Sequence, residues 1–158
     1  ALQTLEVQLP DLTFEEGIKI GISEDLNVQL LGGHTSGSSI ISVEPEHVIF
    51  IGDLIFNKKF PYIGDKSCNP DLWLQALQKV LANDYNTIIS GHGPACDNSE
   101  LESQIQFFER FRSSVKDAIN EGITKDEYLE KGMMPTLYEE GVEGRGPMAV
   151  EFMFNFYK

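Results

Sequence analysis

The chain has 158 residues, of which 41% are hydrophobic and 23% are charged, a composition typical of a single globular domain. Its 25 Asp and Glu residues outnumber 12 Lys and Arg residues, and the resulting net charge of −13 argues against nucleic-acid binding. No apolar run is long enough to cross a bilayer and the first residues do not resemble a secretory signal, so the sequence predicts a cytoplasmic protein without membrane contact.

The first half of the chain carries the alternating apolar pattern of β-strands. Strands are predicted at 18–22, 26–31, 39–43 and 47–51. The last of these, HVIFI, is almost wholly apolar and is expected to lie deep in a sheet. Between the second and third strands, the segment GGHTSGSS predicts a tight turn that contains one of only three histidines.

After Asp53 the apolar period changes to that of helices. Asn69 can cap a helix that has Pro70 at its first position, and the following apolar residues share one helical face. A short buried strand is predicted at 87–89, directly before the sequence SGHGP.

Three further helices are predicted in the last third of the chain. The pairs Ser99 with Glu102 and Thr124 with Glu127 have the spacing of capping boxes, so helices are expected to begin there. Glycines and prolines in 132–147 interrupt the pattern, and MAVEFMFNFY predicts an aromatic-rich closing helix. The order of elements predicts an α/β (α+β) fold, a mixed sheet with helices on one face.

Three polar side chains are predicted just beyond the carboxyl ends of strands, each next to glycine: His34, Asp53 and His92. Open α/β sheets gather their ligand sites at such ends. Histidine and aspartate are suitable ligands for zinc, iron or manganese. Each residue alone is typical of a turn, and it is their coincidence that predicts a metal site. His47, which opens the strand predicted at 47–51, is assigned no role.

Other interpretations of these motifs are less favoured. GHTSG places Ser36 one residue late for a Gly-x-Ser-x-Gly nucleophile, and GGHTSGSS lacks the lysine of a phosphate-binding loop. Cys68 and Cys96 form no Cys-x-x-Cys pair, and we expect both to be reduced. Cys96 follows His92 by four residues, but a small loop residue is favoured over a metal ligand.

The motifs resemble those of the metallo-beta-lactamase-fold hydrolases. GGHTSGSS resembles their Gly-x-His-Thr-x-Gly-Ser element, VIFIGDLIF resembles their strand ending in Gly-Asp, and IISGHGP resembles their Gly-His-Gly-Pro motif. The similarity covers roughly 9–115, which leaves 116–158 as a helical extension. Asp53, where the true lactamases carry cysteine, is similar to the glyoxalase II and lactonase branch.

The resemblance implies a fold, a reaction and a ligand set. The fold would be the C-terminal half of an αββα sandwich. His34 would bind a first metal, His92 would bind a second, and Asp53 would bridge the two, with zinc the first choice and iron or manganese as alternatives. The implied reaction is hydrolysis of a small-molecule ester, thioester or lactone by metal-bound hydroxide.

The family's His-x-His-x-Asp-His motif, which supplies most of both metal sites, is absent from this sequence. We therefore expect residues 1–158 to form a single C-terminal lobe without its N-terminal lobe, which binds metal weakly and does not turn over substrate alone. An exposed apolar sheet face is expected, covered either by a second copy in a homodimer or by the missing half.

Two questions stay open from the sequence. The alternative to a hydrolase lobe is a non-catalytic domain of the same fold that serves assembly or ligand binding. Specificity is expected to come from the loop at 57–68, where Phe60 and Tyr62 are either walls of the substrate site or members of the core.

Overall fold

The computed structural model describes Glu6, residues 8–21 and residues 25–158. Within this part of the chain the backbone forms five strands and four helices. In chain order they are β1 (Gly17–Gly21), β2 (Asp25–Leu30), β3 (Ser39–Val43), β4 (Val48–Phe56), α1 (Pro70–Leu81), β5 (Thr87–His92), α2 (Asn98–Asn120), α3 (Lys125–Glu130) and α4 (Val142–Tyr157). The predicted end of the first strand, Ile22, lies outside the described residues. None of these helices is long and apolar enough to cross a membrane.

The strands form one mixed sheet in the order β1-β2-β3-β4-β5. The first four strands pair antiparallel through short connections, whereas β5 pairs parallel to β4. A parallel pair needs a long crossover, which α1 provides between the two strands. The predicted mixed sheet is therefore confirmed, and the crossover brings the ends of β4 and β5 side by side.

The core lies between one face of the sheet and the helices. Ile49 of β4 and Ile88 of β5 are completely buried beneath α1 and α2. Trp73 of α1 packs against Phe108 of α2 with 4.7 Å between ring centroids, and its indole nitrogen donates a hydrogen bond to the Leu54 carbonyl at 2.9 Å. This buried hydrogen bond fixes α1 to the strand that carries Asp53.

The opposite face of the sheet is apolar, and none of the helices in the described part of the chain lies over it. One row of cross-strand partners is Ile18, Val28, Ile41, Phe50 and Ile89. Ile41 and Phe50 are 36% and 45% exposed. The prediction that HVIFI lies deep in the sheet is thus correct for Ile49 and wrong for Phe50, because alternate side chains of a strand point to opposite faces and only one face is covered.

Helix α2 begins earlier than predicted. Its N-cap is Asp97, whose carboxylate accepts hydrogen bonds from the backbone nitrogen and the hydroxyl of Ser99. The Ser99 hydroxyl is occupied in this way, so the proposed capping box with Glu102 does not form. The box of Thr124 and Glu127 at the start of α3 is confirmed.

Helix α4 also begins earlier than predicted, at Val142, and continues through Pro147. Proline removes one backbone donor, a cost that tertiary packing can outweigh. Here Ala149, Val150 and Met153 are fully buried in the same core as the sheet. The expected interruption at 132–147 therefore ends at the start of α4, before the proline.

Substitutions at two neighbouring residues of β4 test whether only one face of the sheet is buried in the core. Ile49→Ala removes a fully buried side chain and is expected to lower the free energy of unfolding by about 2–5 kcal/mol. Phe50→Ala, on the uncovered face, is expected to cost about 1 kcal/mol or less. Urea denaturation of both variants measures the difference, and equal losses would contradict the assignment of faces.

Candidate metal centre

His34 lies in the turn after β2 and is fixed by aromatic packing. Its side chain is buried, and its ring lies 5.0 Å from Trp73, 5.7 Å from Phe56 and 6.1 Å from Tyr62, measured between centroids. Gly33 has a φ of 108° and passes so close to α1 that a Cβ atom would lie 2.7 Å from the Trp73 Cα. The turn GGHTSGSS thus presses its histidine against the helix.

Asp53 lies inside β4 rather than beyond its end. The sequence prediction ended this strand at residue 51, but β4 continues through Leu54, Ile55 and Phe56, which are all buried apolar residues. The pairing of β4 with β5 shifts register on both sides of Gly52, whose φ is 56°. This irregularity leaves the Asp53 carboxylate half-exposed at the edge of an otherwise buried segment.

His92 is the last residue of β5 and pairs with Phe56 across the sheet, so it too lies within its strand. The strand predicted at 87–89 is longer because its backbone follows β4. The His92 ring stacks on the Phe56 ring at 4.6 Å with an interplanar angle of 16°. Unlike His34, it remains about half-exposed.

The structure brings the three predicted site residues together. His34 Nε2 lies 3.6 Å from Asp53 Oδ2, and His92 Nε2 lies 3.4 Å from Asp53 Oδ1. Each imidazole therefore faces a different oxygen of one carboxylate. His47 precedes β4 and takes no part in this cluster.

These separations suit ligands of a metal better than a hydrogen-bonded network. They exceed the usual N–H···O distance of about 2.7–3.2 Å. Two ligands bound tetrahedrally to zinc at roughly 2.0–2.1 Å lie roughly 3.3–3.4 Å apart, close to both observed values. In the part of the chain that the structure describes, however, no three His, Cys, Asp or Glu side chains are arranged to hold one ion.

A family model described as the metallo-beta-lactamase superfamily matches residues 8–92, which is more than half of the chain and includes all three site residues. The chain belongs to the metallo-beta-lactamase superfamily. This confirms the family inferred from the motifs and leaves its branch unspecified. No curated protein sequence matches the chain.

Solved structures support the same fold. A metallo-beta-lactamase family protein from Thermus thermophilus is 20% identical, with a TM-score of 0.70 over 95% of this chain and 49% of that protein. The metallo-beta-lactamase from Pontibacter korlensis is 22% identical, with a TM-score of 0.57 over 65% of this chain and 50% of that protein. The chain spans about half the length of these metallo-beta-lactamase structures.

Burial lowers the tendency of His34 to become protonated. Removal from water lowers the pKa of the imidazole below its ordinary value, and the nearby Asp53 carboxylate opposes the shift by raising the pKa. A hydrogen bond to the Tyr62 backbone would also raise the pKa. In this structure, however, Nδ1 of His34 has no hydrogen-bond partner among the described residues. The balance favours the neutral imidazole, which is the form that binds a metal.

The two loop aromatics differ in role. Phe60 is completely buried and packs on Phe107 of α2 at 5.6 Å, so it belongs to the core. Tyr62 is partly buried and lies beside His34, where it lines the site. The sequence pattern places Trp73 on the apolar face of a helix and predicts no role in the site for it. Phe56 lies beyond the strand predicted at 47–51, so its contact with the site is not predicted either.

Neither cysteine belongs to a group of three candidate metal ligands in the part of the chain that the structure describes. Burial raises the pKa of the Cys96 thiol to about 11, and that of Cys68 to about 12. A metal requires the thiolate. The backbone of Cys96 also pairs with Ile88, four residues before His92 along β5.

Gly91 allows Asp53 to occupy its position. A Cβ atom at residue 91 would collide with Asp53 Oδ1 and would lie 2.7 Å from the Gly52 carbonyl carbon. Only a residue without a side chain leaves room here for both the carboxylate and the β4 backbone. The sequence places this glycine beside His92 but does not predict its contact with Asp53.

We predict that Gly91→Ala displaces the Asp53 carboxylate, weakening zinc binding and lowering the free energy of unfolding by about 1–3 kcal/mol. Calorimetric zinc titration and urea denaturation measure the two effects. Gly37→Ala is the matched control, because a Cβ atom there meets nothing within 4 Å. Unchanged zinc binding in Gly91→Ala would refute the packing account.

We predict that acidification destabilises the metal-free protein through His34. The pKa of His34 is lower in the folded state than in the unfolded state. The neutral, buried imidazole therefore contributes fully to the free energy of unfolding above the unfolded pKa of about 6.5, and this contribution is lost as the pH falls below that value. Between pH 7.5 and 5.5, measured with a chelator present, His34→Gln should lose less stability than the unsubstituted chain. An equal loss in His34→Gln would contradict the prediction.

Proposed function

We propose that this chain supplies half of a dinuclear metal centre in a hydrolase that acts on a small-molecule ester, thioester or lactone. The observation that carries the proposal is the Asp53 carboxylate, which presents one oxygen to His34 and the other to His92. A carboxylate in this position can bridge two ions that each bind one histidine. Membership of the metallo-beta-lactamase superfamily supports metal-dependent hydrolysis as the chemistry.

The site residues would divide the work. His34, enclosed by three aromatic rings, would hold its metal position rigidly and without water on the ring face. His92, which is half-exposed, would define the second position on the open side. A divalent metal bound there supplies Lewis-acid activation of the substrate carbonyl and of water. Zinc fits these nitrogen and oxygen donors, and iron and manganese accept the same set.

The proposed centre needs further ligands from outside these residues. A catalytic zinc site usually has three protein ligands, whereas each position here has one histidine and a shared carboxylate. We propose that 1–158 is a single lobe, with a core at 9–115 and a helical extension at 116–158, and that a lobe bearing His-x-His-x-Asp-His completes the site. That this chain spans about half of the matched structures supports this proposal.

The identity of residue 53 bears on the reaction. By the resemblance noted above, aspartate at this position favours the glyoxalase II and lactonase branch over the lactamases. Two cysteines without a disulfide are compatible with the reducing cytoplasm, where we propose that the protein acts.

We expect zinc to bind the 158-residue chain weakly, and Asp53→Asn to weaken binding by more than about tenfold because both positions lose their shared ligand. Calorimetric titration measures both. Asp117→Asn, which removes an exposed carboxylate of α2, is the matched control and should bind as the unsubstituted chain does. Tight stoichiometric binding by the chain, or no effect of Asp53→Asn, would overturn the proposal.

Hydrolysis assays with thioester and lactone substrates separate the lobe from a complete enzyme. We expect no turnover by this chain alone, and turnover by a polypeptide in which the chain follows a lobe with the His-x-His-x-Asp-His motif. Turnover by the chain alone would show that the second lobe is unnecessary.

The uncovered sheet face favours a second candidate function, that of a non-catalytic domain that assembles with a further copy. Ile20, Ile41 and Phe50 are exposed on that face, and none of its cross-strand partners is charged. Sedimentation of a dimer that becomes monomeric in Phe50→Asp, together with absence of the histidine motif from the reading frame before Ala1, would favour this function over the enzyme.

A further inference from the structure

The position of His92 depends on Phe56. His34 is enclosed by three aromatic rings, but the only aromatic contact of His92 within the described chain is its stack on Phe56. Phe56 is 2% exposed, so its ring orientation is set by the protein around it rather than by solvent. Whatever holds the Phe56 ring therefore also sets the orientation of the His92 imidazole.

Arg145, in the first turns of α4, holds that ring. Its guanidinium carbon lies over the Phe56 ring, 5.7 Å from the centroid, and its Nη1 donates a hydrogen bond of 2.9 Å to the Phe60 carbonyl. These two contacts use the planar, fixed shape of the guanidinium: one edge is anchored to the backbone while the cation stays over the ring.

Arg145 differs from Arg112 in its ion pairing. Arg112 is paired with the Asp71 carboxylate at 3.3 Å. Among the described residues no carboxylate lies within ion-pair distance of Arg145. In a chain with a net charge of −13, this half-buried guanidinium donates a hydrogen bond to a carbonyl and lies over an aromatic ring, so its position serves that ring rather than an ion pair.

We propose that Arg145 is a positioning residue of the metal centre, which orients His92 by clamping Phe56 from α4. The proposal rests on the proposed function for its consequence in metal binding. Helix α4 lies beyond residues 8–92, the range matched by the superfamily model, so the clamp comes from a part of the chain that the shared motifs do not include.

The clamp also explains how α4 is coupled to the site. The Phe60 backbone nitrogen donates to the Glu140 carbonyl at 2.8 Å, next to the Phe60 carbonyl that Arg145 binds. The loop after β4 is thus held at Phe60 by both Glu140, just before α4, and Arg145 within that helix. A displacement of α4 would act on Phe56, and through Phe56 on His92.

Proton NMR of the His92 ring in metal-free protein tests the clamp directly. Stacking on Phe56 displaces the His92 ring protons upfield, and Arg145→Gln is expected to remove most of that displacement while the fold, measured by circular dichroism, persists. Arg112→Gln is the matched control and should leave the His92 signals in place. Unchanged His92 signals in folded Arg145→Gln would overturn the proposal.

Arg145→Lys keeps the test decisive if Arg145→Gln does not fold. Lysine retains the charge but cannot reach the carbonyl and cover the ring together, so an intermediate displacement is expected, and signals identical to those of the unsubstituted chain would overturn the proposal.

Zinc titration provides a second measurement. Arg145→Gln and Arg145→Lys should bind zinc about five- to tenfold more weakly than the unsubstituted chain does. If the unsubstituted chain binds no zinc, the proposed function fails, whereas the NMR result on metal-free protein still decides the role of Arg145. If it binds zinc and Arg145→Gln binds equally well, the positioning role is refuted and the proposed function stands.

Discussion

The shared carboxylate of Asp53 is the constraint on which the rest of the site depends. One oxygen faces a buried imidazole and the other faces a half-exposed one, with separations of 3.6 and 3.4 Å. To reach this position the carboxylate needs the irregular pairing of β4 with β5 and the absence of a side chain at Gly91. The parallel crossover through α1 then brings His92 alongside, while Trp73 of the same helix packs against His34.

The same sheet bears on our proposal that the site needs further ligands. One face is buried under the helices, and the other consists of apolar rows without a covering layer. Hydrophobic burial drives packing, so an uncovered apolar face of this kind marks a surface for another element. We propose that the two features have one cause: a single additional lobe would cover the exposed sheet face and would add ligands to the metal centre proposed around Asp53.

Much of this arrangement could be predicted from the sequence because the motifs are local. The turn at His34, the cap at Asn69 and the box at Thr124 depend on neighbouring residues, and the structure confirms the cap and the box. Asp53 was misplaced beyond a strand end, since the register shift around Gly52 arises only when β5 pairs with β4. The contacts of Gly91 with Asp53 and of Arg145 with Phe56 link distant segments, and no periodicity in the sequence encodes such contacts.

We propose above all that Asp53 joins two metal positions, each of which also takes one imidazole nitrogen from this chain. Nitrogen NMR of the three histidines during zinc addition tests it most directly. We predict that the Nε2 signals of His34 and His92 both shift and that their Nδ1 atoms do not become ligands. In Asp53→Asn, both responses should be suppressed. A response from one histidine alone, or from both in Asp53→Asn as in the unsubstituted chain, would contradict it.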